Sequence, residues 1–270
     1  MKAYFKFFWT LFFPVLVLMI IDVLGYFFNW PIVHEPWFII LVVSIPLLGV
    51  FGHMVFNFGK LYAAIFILLA SGIGSLSEWI SLKFGLIFGG SYFYDYTGIT
   101  APNIFGVPWV VVIYWCVFIY TGYGLINFIW PWKIEKRFSF WKSLERACFT
   151  ALTVVAIDLI MDPLLVSAGN WSWPEGGIYF GIPWQNFTGW FAVAFLAIFL
   201  FEFFNRKKQQ RFFMVRDFIP ASGYCLIIFS YCLLALSQGL YLPTLIGLLV
   251  SLPWIILAFK KVIKKPPVVS

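Results

Sequence analysis

Short polar stretches cut the chain into eight long apolar runs, and this pattern constrains the fold more than any other feature. A helix crossing the hydrocarbon of a bilayer needs about 20 apolar residues. Segments 7–28, 37–56, 61–82, 107–130, 147–168, 187–205, 218–237 and 240–259 are long enough. The breaks fall at Asn29-Trp30-Pro31, Trp130-Pro131-Trp132 and Trp171-Ser172-Trp173-Pro174. Strands of a membrane barrel would be about half as long and would alternate in polarity, which these runs do not. Composition closes the soluble alternative: 63% of the residues are hydrophobic and 11% charged, against roughly 25% charged in a soluble domain. A water-soluble globule could not bury so much apolar surface. The expectation is an all-α polytopic transmembrane bundle of about eight spans. It forms a single membrane domain over 1–270, with a catalytic core at 61–205 and a C-terminal helical pair and basic tail at 206–270.

The net charge of +7 does not point to nucleic acid, because the basic residues sit in short clusters between apolar runs, where they anchor helices. If both termini are cytoplasmic, the inner face collects Lys2, Lys6, Lys60, Lys133, Lys136, Arg137, Lys142, Arg146, Arg206, Lys207, Lys208, Arg211, Arg216, Lys260, Lys261, Lys264 and Lys265, leaving only Lys83 outside. The positive-inside rule therefore orients the chain with both ends inside. Lys2 and Lys6 before an apolar stretch resemble a signal peptide. That stretch is too long for one, carries Asp22 and lacks an Ala-x-Ala site, so it reads as the first helix. Cys116, Cys148, Cys225 and Cys232 all lie in apolar runs without a CxxC spacing and read as small core residues.

One phrase occurs twice. Phe105-Gly106-Val107-Pro108-Trp109 returns as Phe180-Gly181-Ile182-Pro183-Trp184, 75 positions later. Each copy follows a loop rich in Tyr, Trp and Gly and opens an apolar helix, where Pro fits the first turn. Each also follows a helix that ends in acid. The segments 61–130 and 147–205 run in the same direction, which suggests a parallel internal repeat about an axis along the membrane normal.

Ionisable residues within membrane spans are costly and point to function. On this topology Asp22, Glu78 and Asp162 lie in the outer part of their helices, with Asp158 near the middle and Glu35, Asp95 and Glu175 on or beside the same face. Three helices thus bring carboxylates to one depth. Asp158 and Asp162 are four apart and share a helix face. In a dry setting without a basic residue on their helix, both cannot easily ionise, and a carboxyl that keeps its proton is an acid catalyst. Glu78 follows the small-residue stretch Ser71-Gly72-Ile73-Gly74-Ser75-Leu76-Ser77, which allows close helix approach and offers hydroxyl partners. His34 and Glu35 read as loop residues. His53 lies toward the inner face, far from the acids, and Glu202 is placed to pair with the neighbouring basic run. Tyr92, Tyr94 and Tyr96 alternate around Phe93 and Asp95, while Trp171, Trp173, Tyr179, Trp184 and Trp190 crowd the second loop. Interfacial belts account for part of this aromatic content. Aromatic faces also stabilise cations, and neutral acids beside such rings suit chemistry through a carbocation.

Several of these pieces carry a resemblance: Gly89-Gly90-Ser91-Tyr92-Phe93-Tyr94, the first Phe-Gly-Val-Pro-Trp phrase, Asp158-Leu159-Ile160-Met161-Asp162-Pro163, Trp171-Ser172-Trp173 through Gly177-Ile178-Tyr179-Phe180-Gly181-Ile182-Pro183, and Asn186-Phe187-Thr188-Gly189-Trp190. Together they are similar to the membrane-embedded carotenoid biosynthesis proteins of the CruF type, the carotenoid 1,2-hydratase and bisanhydrobacterioruberin hydratase family. The similarity is good over roughly 75–205 and extends to the terminal helices only by hydropathy. The resemblance implies a lyase that adds water across the terminal C=C of an acyclic ψ-end group, as in lycopene, γ-carotene or a bacterioruberin precursor, giving a tertiary alcohol without cofactor or metal. It implies a multi-pass protein of the inner (plasma) membrane whose partners are a membrane-dissolved carotenoid, water and the bilayer, with association to other carotenoid enzymes. In our reading Asp158 and Asp162 supply the acid and Glu78 or Asp95 orients water. Tyr92, Tyr94, Trp109, Trp171, Trp173, Tyr179, Trp184, Trp190 and Asp22 form the substrate-binding set.

Three other readings compete. A UbiA-type prenyltransferase would use Asp158-x-x-x-Asp162 to hold Mg²⁺ on a diphosphate, but it needs a second acidic cluster and nearby basic residues. A membrane lycopene cyclase would make the same cation and close a ring. A proton-coupled transporter or carotenoid-binding scaffold would also suit intramembrane acids, although no helix centre reads as unwound at Gly or Pro in the way that builds a midplane transport site.

Overall fold

The computed structural model describes residues 2–96, 102–130, 139–205 and 214–264. Among these residues eight α-helices follow in order: α1 (Lys2–Phe27), α2 (Pro36–Phe58), α3 (Lys60–Phe84), α4 (Trp109–Ile129), α5 (Phe140–Ser167), α6 (Trp184–Phe204), α7 (Met214–Ser237) and α8 (Tyr241–Lys264). Seven of them are long and apolar enough to cross a membrane, and the described apolar part of α1 covers Phe12–Phe27. The protein is therefore an all-α multi-pass bundle, as the apolar runs predict. Pro131-Trp132 and the basic residues Lys133, Lys136, Arg137, Arg206, Lys207, Lys208, Arg211 and Lys265 lie outside the described residues.

The helix boundaries have local causes. Gly59, at φ 81°, is the whole link between α2 and α3, a backbone angle that costs other residues strain. Gly85 ends α3 in the left-handed conformation and returns its N–H to the Ser81 carbonyl. The fifth helix begins at Phe140, seven residues before the apolar run at 147. Its polar first turns are helical without being apolar, and they bring Arg146 to 3.0 Å from Glu202 of α6. The Tyr123 hydroxyl donates to the same carboxylate, so Glu202 takes a basic partner from α5, while most of the neighbouring basic run expected to pair with it lies outside the described residues. At the same end Lys261 donates to the carbonyls of Phe128 and Ile129, the last turn of α4, where a cation is favoured.

The fourth helix is the centre of the bundle. It is buried along most of its length, as a helix apolar all round should be, and it packs on α3, α5 and α7. The sixth packs on α3 and α5. Gly74 makes the contact between α3 and α4 possible, because a Cβ there would enter the Trp115 ring. Gly74→Leu is expected to cost about 1–3 kcal/mol through overpacking, seen as a lower unfolding midpoint in detergent. An unchanged midpoint would mean that the two helices are not this close.

At the opposite end from Lys261, two short antiparallel pairings organise the long loops. β1 (Phe93–Tyr94) pairs with β4 (Trp171–Ser172), tying the loop after α3 to the loop after α5. β2 (Asn103–Ile104) pairs with β3 (Val107–Pro108). The two copies of the repeated phrase adopt one backbone shape. Phe105 and Gly106 have φ 54° and 87°, Phe180 and Gly181 have φ 53° and 82°, and each Phe-Gly forms the tip of a tight hairpin. Pro108 and Pro183 precede the helices they were expected to open, as the N-cap residues of α4 and α6. Trp115 and Trp190, also 75 positions apart, stack at 4.1 Å between α4 and α6.

Candidate active site

Three helices and two loops bring the buried acids together just below the tied loops. Asp158 and Asp162, one turn apart on α5, are 0% and 2% exposed. Asn186, in the first turn of α6, bridges them. Its amide nitrogen donates to Asp158 Oδ2 at 3.0 Å and to Asp162 Oδ2 at 2.5 Å. The remaining Asp158 oxygen, Oδ1, is buried with no protein hydrogen-bond partner. The helix continues through Pro163 because Tyr179 makes up for the missing N–H. Its hydroxyl donates to the Leu159 carbonyl at 2.8 Å, the acceptor that residue 163 would otherwise serve. Burial, then the charge of Asp158 and Asp162, pushes the Tyr179 phenol up to about 12, so it remains a donor.

Glu78 faces this pair from α3 and is 3% exposed. The sequence suggested serine hydroxyls as its partners. The partners are instead the hydroxyls of Tyr92 and Tyr94, both donating to Oε2, the second at 2.9 Å. They share a face because strand side chains alternate, which turns Phe93 and Asp95 outward. Burial, followed by the charge of Glu78, holds both phenols well above the ordinary range, so each keeps the O–H that it donates to the carboxylate. Ser81 Oγ accepts the N–H groups of Ile87 and Phe88 at 3.0 and 3.1 Å, fixing the loop that carries the tyrosines. Aromatic rings close the site. Trp173 stacks on Tyr92 and Trp171 stands edge-on to Tyr94, each at 5.5 Å, and the Trp173 indole N–H donates to the Phe88 carbonyl at 3.0 Å.

Among these groups lies a void of about 20 Å³, lined in part by Glu78, Asp162, Asn186, Tyr92, Tyr114 and Trp190. One water molecule needs roughly 10–15 Å³ and two to four polar partners, and both conditions are met. No lysine, arginine or histidine is among the described residues that line it.

The other residues singled out from the sequence lie elsewhere. Asp95 is exposed, its N–H bonded to the Asn170 carbonyl at 2.8 Å, because the strand alternation that buries Tyr94 turns it away. Trp109 and Trp184 are the first residues of α4 and α6, half-buried and exposed respectively, outside the void lining. Asp22, on α1, lines a separate apolar cavity of about 630 Å³ between α1, α2, α4 and α7, as does His53. Tyr114 lines both spaces. Sequence reasoning gave Asn186 no role. The available signal was an amide at the buried start of an otherwise apolar helix.

The family described as "Carotenoid biosynthesis protein" matches residues 36–253. A bisanhydrobacterioruberin hydratase of Haloarcula japonica is 26% identical over 186 residues, which is 67% of this chain and 59% of the relative. The chain thus spans less than two thirds of that relative's length. No solved structure matches. The family match takes in α2 to α7 and most of the acid cluster's supporting loops, and the chain belongs to the carotenoid biosynthesis protein family.

Proposed function

We propose that the protein is a carotenoid hydratase of the inner membrane, both termini cytoplasmic, adding water to the terminal C=C of an acyclic ψ-end group. The observation that carries this reading is the Asp158–Asn186–Asp162 bridge facing Glu78 across a space the size of one water. Two carboxyls held by one amide, with no lysine, arginine or histidine among the described residues lining the adjoining void, keep a proton between them. That proton passes to the less substituted alkene carbon, the C=C pair forms the new C–H bond, and the other carbon becomes a tertiary cation. The faces of Trp171, Trp173, Trp190 and Tyr92 lower the energy of the cation without bonding to it. Water attacks the cation through oxygen and gives up a proton to Glu78, whose tyrosine partners orient it. Return of this proton to the aspartate pair restores the starting state. The net change is one water added. Asp95 stands outside this scheme, and Glu78 takes the water-orienting role. The duplicated segments 61–130 and 147–205, supported by the matching Phe-Gly turns, would supply the acids from both halves.

Expression in a lycopene-accumulating bacterium tests the reading. The expected product is heavier than lycopene by one or two waters and keeps the acyclic absorption spectrum. A product of unchanged mass with a ring at its end would make the protein a cyclase, and unaltered lycopene beside well-folded protein would remove the hydratase assignment.

A further inference from the structure

The acid cluster is too tightly enclosed to hold a long hydrocarbon, so the hydratase reading requires a second space for the rest of the substrate. We infer that the 630 Å³ cavity between α1, α2, α4 and α7 seats the polyene chain, lying along the bundle with its reacting end at Tyr114. This inference rests on the hydratase reading for the identity of the occupant.

Four observations carry it. The size falls within the roughly 300–1,000 Å³ of small-molecule sites. The shape is elongated: along α2 the lining runs from Ile39 to His53, about 21 Å of helix at 1.5 Å per residue. The walls are apolar, with the aromatic rings of Phe118, Tyr114 and Tyr231 available to a conjugated chain, and Tyr114 stacks on Phe118 at 5.1 Å. The charge excludes an anionic guest. The described lining contains one carboxylate, Asp22, and two histidines, but neither lysine nor arginine, so a prenyl diphosphate or a phospholipid headgroup would find no counter-charge.

The two ends differ. Toward the loops the lining includes Asp22, Tyr26, His34 and Asn170. At the far end His53 Nδ1 is hydrogen-bonded to the Tyr120 hydroxyl at 2.6 Å, and Asn57 bonds the same ring. Only the loop end approaches the acids. There Tyr114 separates the cavity from the void that holds Glu78 and Asp162. The terminal C=C must therefore pass Tyr114 to be protonated, while the unreacting chain extends toward His53. Tyr114 is on this account a positioning residue.

Gly49 allows the cavity to be filled without disturbing its walls. It lines the cavity, and an added Cβ would meet nothing within 4 Å. Full-length protein is purified from lycopene-accumulating cells as wild type, Gly49→Leu, Gly49→Trp and Asp158→Asn. Gly72→Leu serves as the control, because Gly72 is outside the cavity lining and its added Cβ meets only Leu68, at 3.8 Å. Bound lycopene per protein, counted together with its hydrated product, bound phospholipid, the hydrated fraction and the gel-filtration profile are measured for each. Bound lycopene is expected to fall progressively from Gly49→Leu to Gly49→Trp, by about tenfold for the latter (1.4 kcal/mol), with hydration falling alongside. Gly72→Leu should match wild type, and Asp158→Asn should keep its lycopene without hydrating it. Wild-type lycopene content in monodisperse Gly49→Leu and Gly49→Trp would overturn the inference, as would wild type carrying phospholipid in place of lycopene. Wild type that binds lycopene at Gly49 without hydrating it would instead count against the hydratase reading and leave the polyene site standing.

Discussion

Asp158→Asn and Asp162→Asn are each expected to reduce lycopene hydration by about 10²–10⁴-fold, the range for losing a positioned acid, while leaving expression and helical content near wild type. The substitution keeps the size of the side chain and its capacity to bond Asn186, and removes the proton. Both oxygens that Asn186 serves belong to this pair, so neither aspartate should substitute fully for the other. Glu78→Gln tests the opposite face of the void. It keeps an acceptor for Tyr92 and Tyr94 but cannot take the proton from attacking water, so hydration should fall with the site still assembled. Initial rates of product formation in membranes check all three. Wild-type rates from both single aspartate variants would end the assignment.

Asn186→Leu is expected to fail differently. Leucine leaves two buried carboxyl oxygens without their donor, each at a cost of about 1–3 kcal/mol. The variant should lose thermal stability and hydration together, although asparagine transfers no proton in the scheme. The paired loss is the signature: the aspartate-to-asparagine variants should lose activity with little loss of midpoint, and Asn186→Leu should lose both. An unfolding midpoint equal to wild type, with activity intact, would mean that the amide does not bridge the pair. The comparison separates chemistry from architecture at residues joined by single hydrogen bonds.

The sequence made some of this architecture legible and hid the rest, for identifiable reasons. The helices were readable because each run must satisfy its own backbone in lipid, and each apolar run has its helix, although charged residues carry α1, α5, α7 and α8 several residues past the ends of their runs. Glu78, Asp158 and Asp162 were readable as a layer because the topology fixes depth. Depth does not fix azimuth, so Asp22 was grouped with them although α1 turns it into the larger cavity. The alternation of Tyr92 and Tyr94 marked one strand face, yet nothing local could show that the face meets Glu78, a contact between loop and helix. Asp95 was misplaced by the same parity: one position along the strand is the opposite side. The larger cavity was invisible because its lining comes from five helices and their loops, scattered from Phe12 to Gln238, and its far wall, His53 with Tyr120, joins residues 67 apart.

Mass spectrometry of products formed in D₂O tests the central claim most directly, comparing wild type with the Asp158→Asn/Asp162→Asn double variant, each purified from cells that make no carotenoid and supplied with lycopene in D₂O. Wild type should return hydrated lycopene with one deuterium fixed on carbon for each water added, and the double variant should return lycopene unchanged. Hydrated, deuterated product from the double variant would place the proton source elsewhere and contradict the account.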